Sequence, residues 1–403
     1  MKRGLLVILL SALLLPASAQ PIQWGHSTRI PVDTALAKNA RWFQGHFAEL
    51  MQRWGVPGGT VAIMKNGKLL YAASFGYGNI ANKQPVTPNS LFRVASISKV
   101  VTAVAVLKLV QDGKLHLDDK VFSILNDVKP LPGMRVNREV YDITVRDLLA
   151  MSSGWAHYAG GTDPMFGPWS NGMEAKLGNV PASCLQTTRY MMAMPLQFQP
   201  GTSYSYMNLN YCILGLIVSK VSGNNYSAQT YQNYVQKQIL APIGINDMQI
   251  GHSTREGRIP GEVTYYPYSD QSFSSGLPYT NSPIIENNAA DGGWLASSID
   301  LVKFLSAVSS GKVINPMLIR QMTARQIPNQ KRSSKYQGLG WRLIKKGSQL
   351  TWYKTGSFPG TNGLIVRRAD GTVIAAVFNT MPGDLARFRV QLMSLMLSKN
   401  LLK

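Results

Sequence analysis

Ser96 and Lys99 stand three positions apart in a stretch, Val94 to Leu107, whose only charge is that lysine. On a helix, positions i and i+3 share a face, so the hydroxyl and the amine can meet. Burial disfavours a charged lysine and lowers its pKa, which fits it to take a proton from serine near neutral pH. The local alternative is a helix-start serine followed by a snorkelling lysine. A second Ser-x-x-Lys, Ser309 to Lys312, acts as a control: Gly311 interrupts it and its surroundings read as a frayed helix end.

Two further segments carry compatible chemistry. Tyr206-Met207-Asn208 follows a Pro200-Gly201 turn and leads into an apolar helix, Tyr211 to Val221. A tyrosine beside a lysine can shuttle a proton, and an asparagine amide can hold a substrate carbonyl, although aromatic packing alone also explains such a triplet. Ser222-Gly223-Asn224 is a rival polar triplet that reads more simply as a helix end. Lys354-Thr355-Gly356-Ser357 ends a strand through Trp352 and Tyr353. There Lys354 offers positive charge for a substrate carboxylate, Gly356 removes bulk so that a substrate can lie along the strand, and the next main-chain amide can face an oxyanion.

The elements that must position these residues follow from periodicity. Thr34 to Trp54 has a helical apolar face of Leu36, Ala40, Phe43, Phe47, Leu50 and Met51. Runs from Thr60 to Lys65 and Lys68 to Ser74 flank Asn66-Gly67, a hairpin signature. The Ser96 helix extends to about Val110, and Thr144 caps a helix that runs to Met151. Leu115 to about Asn288 reads as helices and long loops. Strands return over Gly338 to Ile344, Leu350 to Gly356 and Leu364 to Phe378, the last interrupted at Asp370-Gly371, and a helix from about Asp384 to Leu397 closes the chain. The expected fold is α+β: one antiparallel sheet built from both chain ends, flanked by N- and C-terminal helices, with a large helical lobe inserted. Ser96 starts that insertion, at a junction suited to a pocket.

In the order Ser96-x-x-Lys99, Tyr206-x-Asn208, Lys354-Thr355-Gly356, the chain resembles the penicillin-recognising serine hydrolases, specifically the class C β-lactamase and D,D-peptidase branch. The resemblance extends over nearly all of the chain after residue 19, through Leu91 to Ser96, Asp112 to Leu115, Ile143 to Leu149 with Ser152 to Gly154, and Gly338 to Trp341. It implies a β-lactamase/transpeptidase-like fold in one catalytic domain, 20–403, with a sheet lobe of about 20–90 and 290–403 and a helical lobe of about 91–289. It further implies that Ser96 becomes acylated, that Lys99 accepts or relays its proton, and that Tyr206 serves the leaving group and then the attacking water. Asn208 would position the substrate amide, the amides of Ser96 and Ser357 would form an oxyanion hole, and Lys354 with Thr355 and Gly356 would receive the substrate. No metal or organic cofactor is required. Met207 is bulkier than the small residue expected between Tyr206 and Asn208 in close relatives, which bears on the width of the pocket.

Composition bounds the remaining possibilities. Lys2 and Arg3, an apolar run from Gly4 to Leu15 and Ala17-Ser18-Ala19 make residues 1–19 a signal peptide cleaved after Ala19, so an exported, periplasmic or secreted protein is expected. No later stretch reaches the roughly 18 apolar residues of a membrane helix. The net charge of +21 is scattered, with attraction to anionic cell-envelope polymers as its functional reading; export excludes nucleic acid as a partner. The five histidines show no metal-ligand spacing. Cys184 and Cys212 either pair or remain free and buried. The substrate expected is a small molecule or peptide with a carboxylate, cleaved as an amide. An esterase on the same fold is the alternative, and the α/β-hydrolase class is excluded for want of a Gly-x-Ser-x-Gly elbow.

Overall fold

The structure, a computed structural model, describes residues 37–156, 163–165, 176–177, 182–254, 257–267, 285–327 and 333–402. The expected signal peptide lies outside them. Helix α1 (Ala37–Arg53) precedes strands β1 (Gly58–Lys65) and β2 (Lys68–Asn79). Asn66 and Gly67 join the two strands with φ of 50° and 76°, the left-handed pair that a two-residue hairpin turn requires. A short β3 (Gln84–Pro85) follows on the edge. The later strands are β4 (Lys335–Gln337), β5 (Arg342–Lys346), β6 (Gln349–Phe358), β7 (Thr361–Arg367) and β8 (Val373–Phe378). Together they form one antiparallel sheet in the order β3-β2-β1-β8-β7-β6-β5-β4. Its two halves meet where β1 pairs with β8, Thr60 opposite Val377.

The two-residue alternation of strand side chains divides the core in two. Val61 and Ile63 of β1 with Ile374, Ala376 and Phe378 of β8 face α1 and the closing helix, where Phe43, Phe47, Phe388 and Leu392 are buried. Ala62 and Met64 with Val373, Ala375 and Val377 face the helical lobe. Both faces are covered, so these strands read as continuous apolar runs.

Between the halves the chain is mainly helical. It contains α2 (Ser98–Gln111), the helices Val145–Ala150 and Cys184–Met191, α3 (Asn208–Gly223), the helix Ala228–Val235 and α4 (Ser298–Ser309); after the sheet come α5 (Leu385–Met396) and a 3₁₀ turn, Lys399–Leu402. Thr144 caps its helix in a reciprocal pair with Asp147. Asn224, at φ 52°, ends α3, and Ser309 lies in the last turn of α4 before Gly311 at φ 83°; both rival motifs are helix ends. Among the described residues no helix is long and apolar enough to cross a membrane.

Three features differ from the sequence reading or complete it. The expected strand from Gly338 to Ile344 is split, because Gly340 turns at φ 87° and packs against Ala103 of α2, so only β5 from Arg342 is extended there. Phe92–Arg93, Gln249–Ile250 and Trp294–Ala296 form an unanticipated three-stranded ribbon. Cys184 and Cys212 form a disulfide that ties the helix Cys184–Met191 to α3, which closes the question left open by composition.

Candidate active site

Ser96 lies not in α2 but in the 3₁₀ turn Ala95–Ile97 that precedes it. Ala95 adopts φ 46°, a conformation costly for a residue with a Cβ, and its surroundings hold it there. The Val94 amide donates to Trp294 O at 3.0 Å, and the Thr361 hydroxyl donates to Arg93 O at 2.7 Å. Arg93 is pinned by Glu262 at 3.3 Å and lies over the Tyr265 ring. From the other side β6 presses directly on the turn: a Cβ at Gly356 would overlap the Val94 carbonyl, so only glycine lets the strand approach so closely.

The three motifs converge at this turn. Lys99 Nζ donates to Ser96 Oγ at 3.1 Å, and Ser96 Oγ shares a 2.7 Å hydrogen bond with Tyr206 Oη. Lys99 is fully buried and also donates to Asn208 Oδ1 at 2.6 Å and to Asp291 O at 2.5 Å. Its Nζ lies 5.2 Å from the centre of the Tyr206 ring, and that of Lys354 lies 5.5 Å from the same centre. Tyr206 therefore stands between two amines, with the serine at its hydroxyl. Lys354 is 4 % exposed; burial, then the charges of Lys99 and Arg342, hold its pKa well below that of a free lysine. Ser96, Tyr206, Asn208, Lys354, Thr355 and Ser357 all border one cavity of about 320 Å³. Gly356 supports its wall. Met207, 2 % exposed, is turned into the core and does not border the cavity.

Four residues that sequence reasoning missed complete the site. Asp163 accepts from the Asn208 main-chain amide at 2.6 Å and from Asn208 Nδ2 at 2.8 Å. With Nδ2 so engaged, Oδ1 must face Lys99, and both ends of the Asn208 amide are already bound within the protein. Asp291 is fully buried with a carboxyl oxygen 3.9 Å from Lys99 Nζ, and burial pushes its pKa up to about 8, Lys99 opposing and Asp163 reinforcing the rise. Arg342 and Arg389 border the cavity from β5 and α5. Burial lowers the Arg389 pKa to about 10, and its guanidinium donates to Gly356 O at 2.8 Å. None of the four belongs to a short local pattern; the missed signal was an ionisable side chain in otherwise apolar or glycine-rich surroundings, as in Ala289-Ala290-Asp291-Gly292-Gly293.

An antiparallel sheet with a helical lobe and a serine–lysine–tyrosine junction between them defines a serine hydrolase of the β-lactamase fold. The Beta-lactamase family matches residues 43–394, and the chain belongs to that family. Protein flp of Staphylococcus aureus (strain MW2) is 30% identical over 204 residues, 51% of this chain and 36% of that protein. The chain thus spans about a third of the length of the staphylococcal relatives it matches. Penicillin-binding protein 4* of Bacillus subtilis (strain 168) is 27% identical over 321 residues, 77% of this chain and 65% of that protein. The octameric penicillin-binding protein homologue from Pyrococcus abyssi superimposes with a TM-score of 0.68 at 26% identity, over 90% of this chain and 78% of that one. D-amino acid amidase from Ochrobactrum anthropi SV3 has the same fold, with a TM-score of 0.67 at 23% identity over 89% of this chain and 98% of that one.

Proposed function

We propose that this protein is an exported amide hydrolase that acylates Ser96, with β-lactams or cell-wall peptides ending in D-alanine as its substrate class. The observation that carries this reading is the continuous path Lys99 Nζ–Ser96 Oγ–Tyr206 Oη, with Lys354 beside the same tyrosine ring. Ser96 Oγ bonds to the substrate carbonyl carbon while its proton passes to Lys99 or Tyr206. The oxyanion faces the main-chain amides of Ser96 and Ser357. As the tetrahedral adduct collapses, the C–N bond breaks and Tyr206 delivers a proton to the leaving nitrogen. Water then attacks the ester, giving its proton to the same tyrosine–lysine pair, and Ser96 is released. Lys354 and Thr355 hold the substrate carboxylate. Asn208, which borders the cavity, positions the substrate amide with its second Nδ2 N–H while Asp163 and Lys99 hold the rest of its side chain.

A labelled penicillin incubated with the purified protein tests this reading. The expected result is an adduct on Ser96 that Ser96→Ala does not form, together with release of D-alanine from an acyl-D-alanyl-D-alanine peptide. Cleavage of a short nitrophenyl ester with neither adduct nor peptide hydrolysis would replace the amide reading with an esterase.

A further inference from the structure

The cavity carries more positive charge than one carboxylate needs. Lys354, Arg342 and Arg389 all border it, and among the described residues no acidic one does. Among the described residues none of the three belongs to an ion pair, whereas the buried Arg93 nearby has Glu262 at 3.3 Å; Lys354 is buried, Arg389 half-buried and Arg342 exposed. Like charges around one cavity repel one another, less where solvent screens them as at Arg342, and a ligand of opposite sign removes that repulsion.

The two guanidiniums are anchored beside Lys354 rather than at a distance from it. Arg342 on β5 borders the same cavity, near enough for its charge to act on Lys354. Arg389 reaches over from α5 to the Gly356 carbonyl at 2.8 Å and to Asn362 Oδ1 at 3.3 Å. Two of its five N–H donors are thereby committed to β6 and β7, and the rest of the fork is left for a ligand in the cavity. A second anion held here shares one cavity of about 320 Å³ with the first, so both can belong to one residue of the substrate.

We propose that the cavity is built for a dicarboxylate terminus: a substrate whose C-terminal residue has an acidic side chain, its α-carboxylate on Lys354 and Thr355 and its side-chain carboxylate on Arg342 and Arg389. This rests on the amide-hydrolase reading above and adds to it that, among peptide substrates, an acidic leaving residue is held more tightly than D-alanine. The selectivity acts in binding, before any bond is broken.

Equilibrium binding to Ser96→Ala separates the two ideas, because it needs no turnover. Nα-acetyl-D-alanyl-D-glutamate and the isosteric D-glutamine peptide are compared by calorimetry at low ionic strength. A charge-assisted pair contributes roughly tenfold to a hundredfold in affinity, so the D-glutamate peptide binds at least tenfold tighter. That preference falls to within about threefold in Ser96→Ala carrying Arg342→Gln, and likewise with Arg389→Gln, each checked by its thermal midpoint for retention of the fold. Equal affinity for the two peptides, binding of neither, or an unchanged preference in both arginine variants overturns the proposal. Turnover of D-alanyl-D-alanine peptide by the wild-type protein judges the amide-hydrolase reading separately.

Discussion

Replacing Asp291 by asparagine tests the electrostatics beneath the nucleophile. The Asp291 carboxyl is fully buried, and among the described residues neither of its oxygens accepts a hydrogen bond. Lys99, at 3.9 Å, is the only cation paired with it among the described residues, and Asp163 adds a like charge. Burial therefore dominates and carries the pKa from 3.8 to about 8. Between these values the folded protein binds a proton that the unfolded chain has released, so the contribution of Asp291 to stability falls as pH rises through that window. Asparagine keeps the shape and has nothing to ionise. The linkage relation gives a stability difference between variant and wild type that grows in favour of the variant by roughly 3 to 4 kcal/mol between pH 5 and pH 8. Urea unfolding of both proteins at the two pH values, at fixed ionic strength, measures it, and other titrating groups cancel in the comparison. A difference that does not change with pH would refute the reasoning, since it would make Asp291 an ionised partner of Lys99 throughout.

Three other substitutions probe the same assembly. Lys99→Met should slow acylation of Ser96 by about 10²- to 10⁴-fold, the range for losing a positioned base, with the circular dichroism spectrum retained; an unchanged acylation rate would remove Lys99 from the proton path. Asp163→Ala frees the Asn208 amide to turn away from Lys99 and from the substrate, so kcat/KM should fall about tenfold, and unchanged kinetics would show that Asp163 does not position it. Gly356→Ala drives a methyl group into the Val94 carbonyl and should cost about 1–3 kcal/mol in urea unfolding while also slowing acylation, because the turn that yields is the one carrying Ser96. Full acylation at wild-type stability would show that the strand approach is not required.

The parts of this site legible in sequence are those that interrupt a regular pattern. Lys99 stood out because an ammonium breaks an apolar helix, Asn66-Gly67 because a left-handed pair fits only a tight turn, and Lys354 because it ends an aromatic strand beside a glycine. The Asn66-Gly67 hairpin and the apolar runs near both chain ends place those ends in one sheet. The remainder is set by long-range packing. Asp163 and Asp291 are 128 positions apart, yet both contribute to the surroundings of the Lys99–Asn208 pair. Arg342 and Arg389 look like ordinary surface charges on a strand and an amphipathic helix until β6 brings them to the same cavity. The disulfide likewise depends on how two helices pack, which cysteine spacing alone does not specify.

The pairing of β1 with β8 also governs how the chain reaches this structure. Thr60 must find Val377, a separation of more than three hundred residues, before the central sheet can close. Such a contact carries a large loop-closure entropy and belongs among the late, slow steps of folding. Until β8 is available, the inner edge of β1 has unpaired main-chain groups and both of its apolar faces lack half their cover. The Ser96 turn packs against β6, so the nucleophile is held in place only once the C-terminal strands have docked. A chain released before about residue 378 therefore contains the serine, both lysines and the tyrosine but has no assembled site.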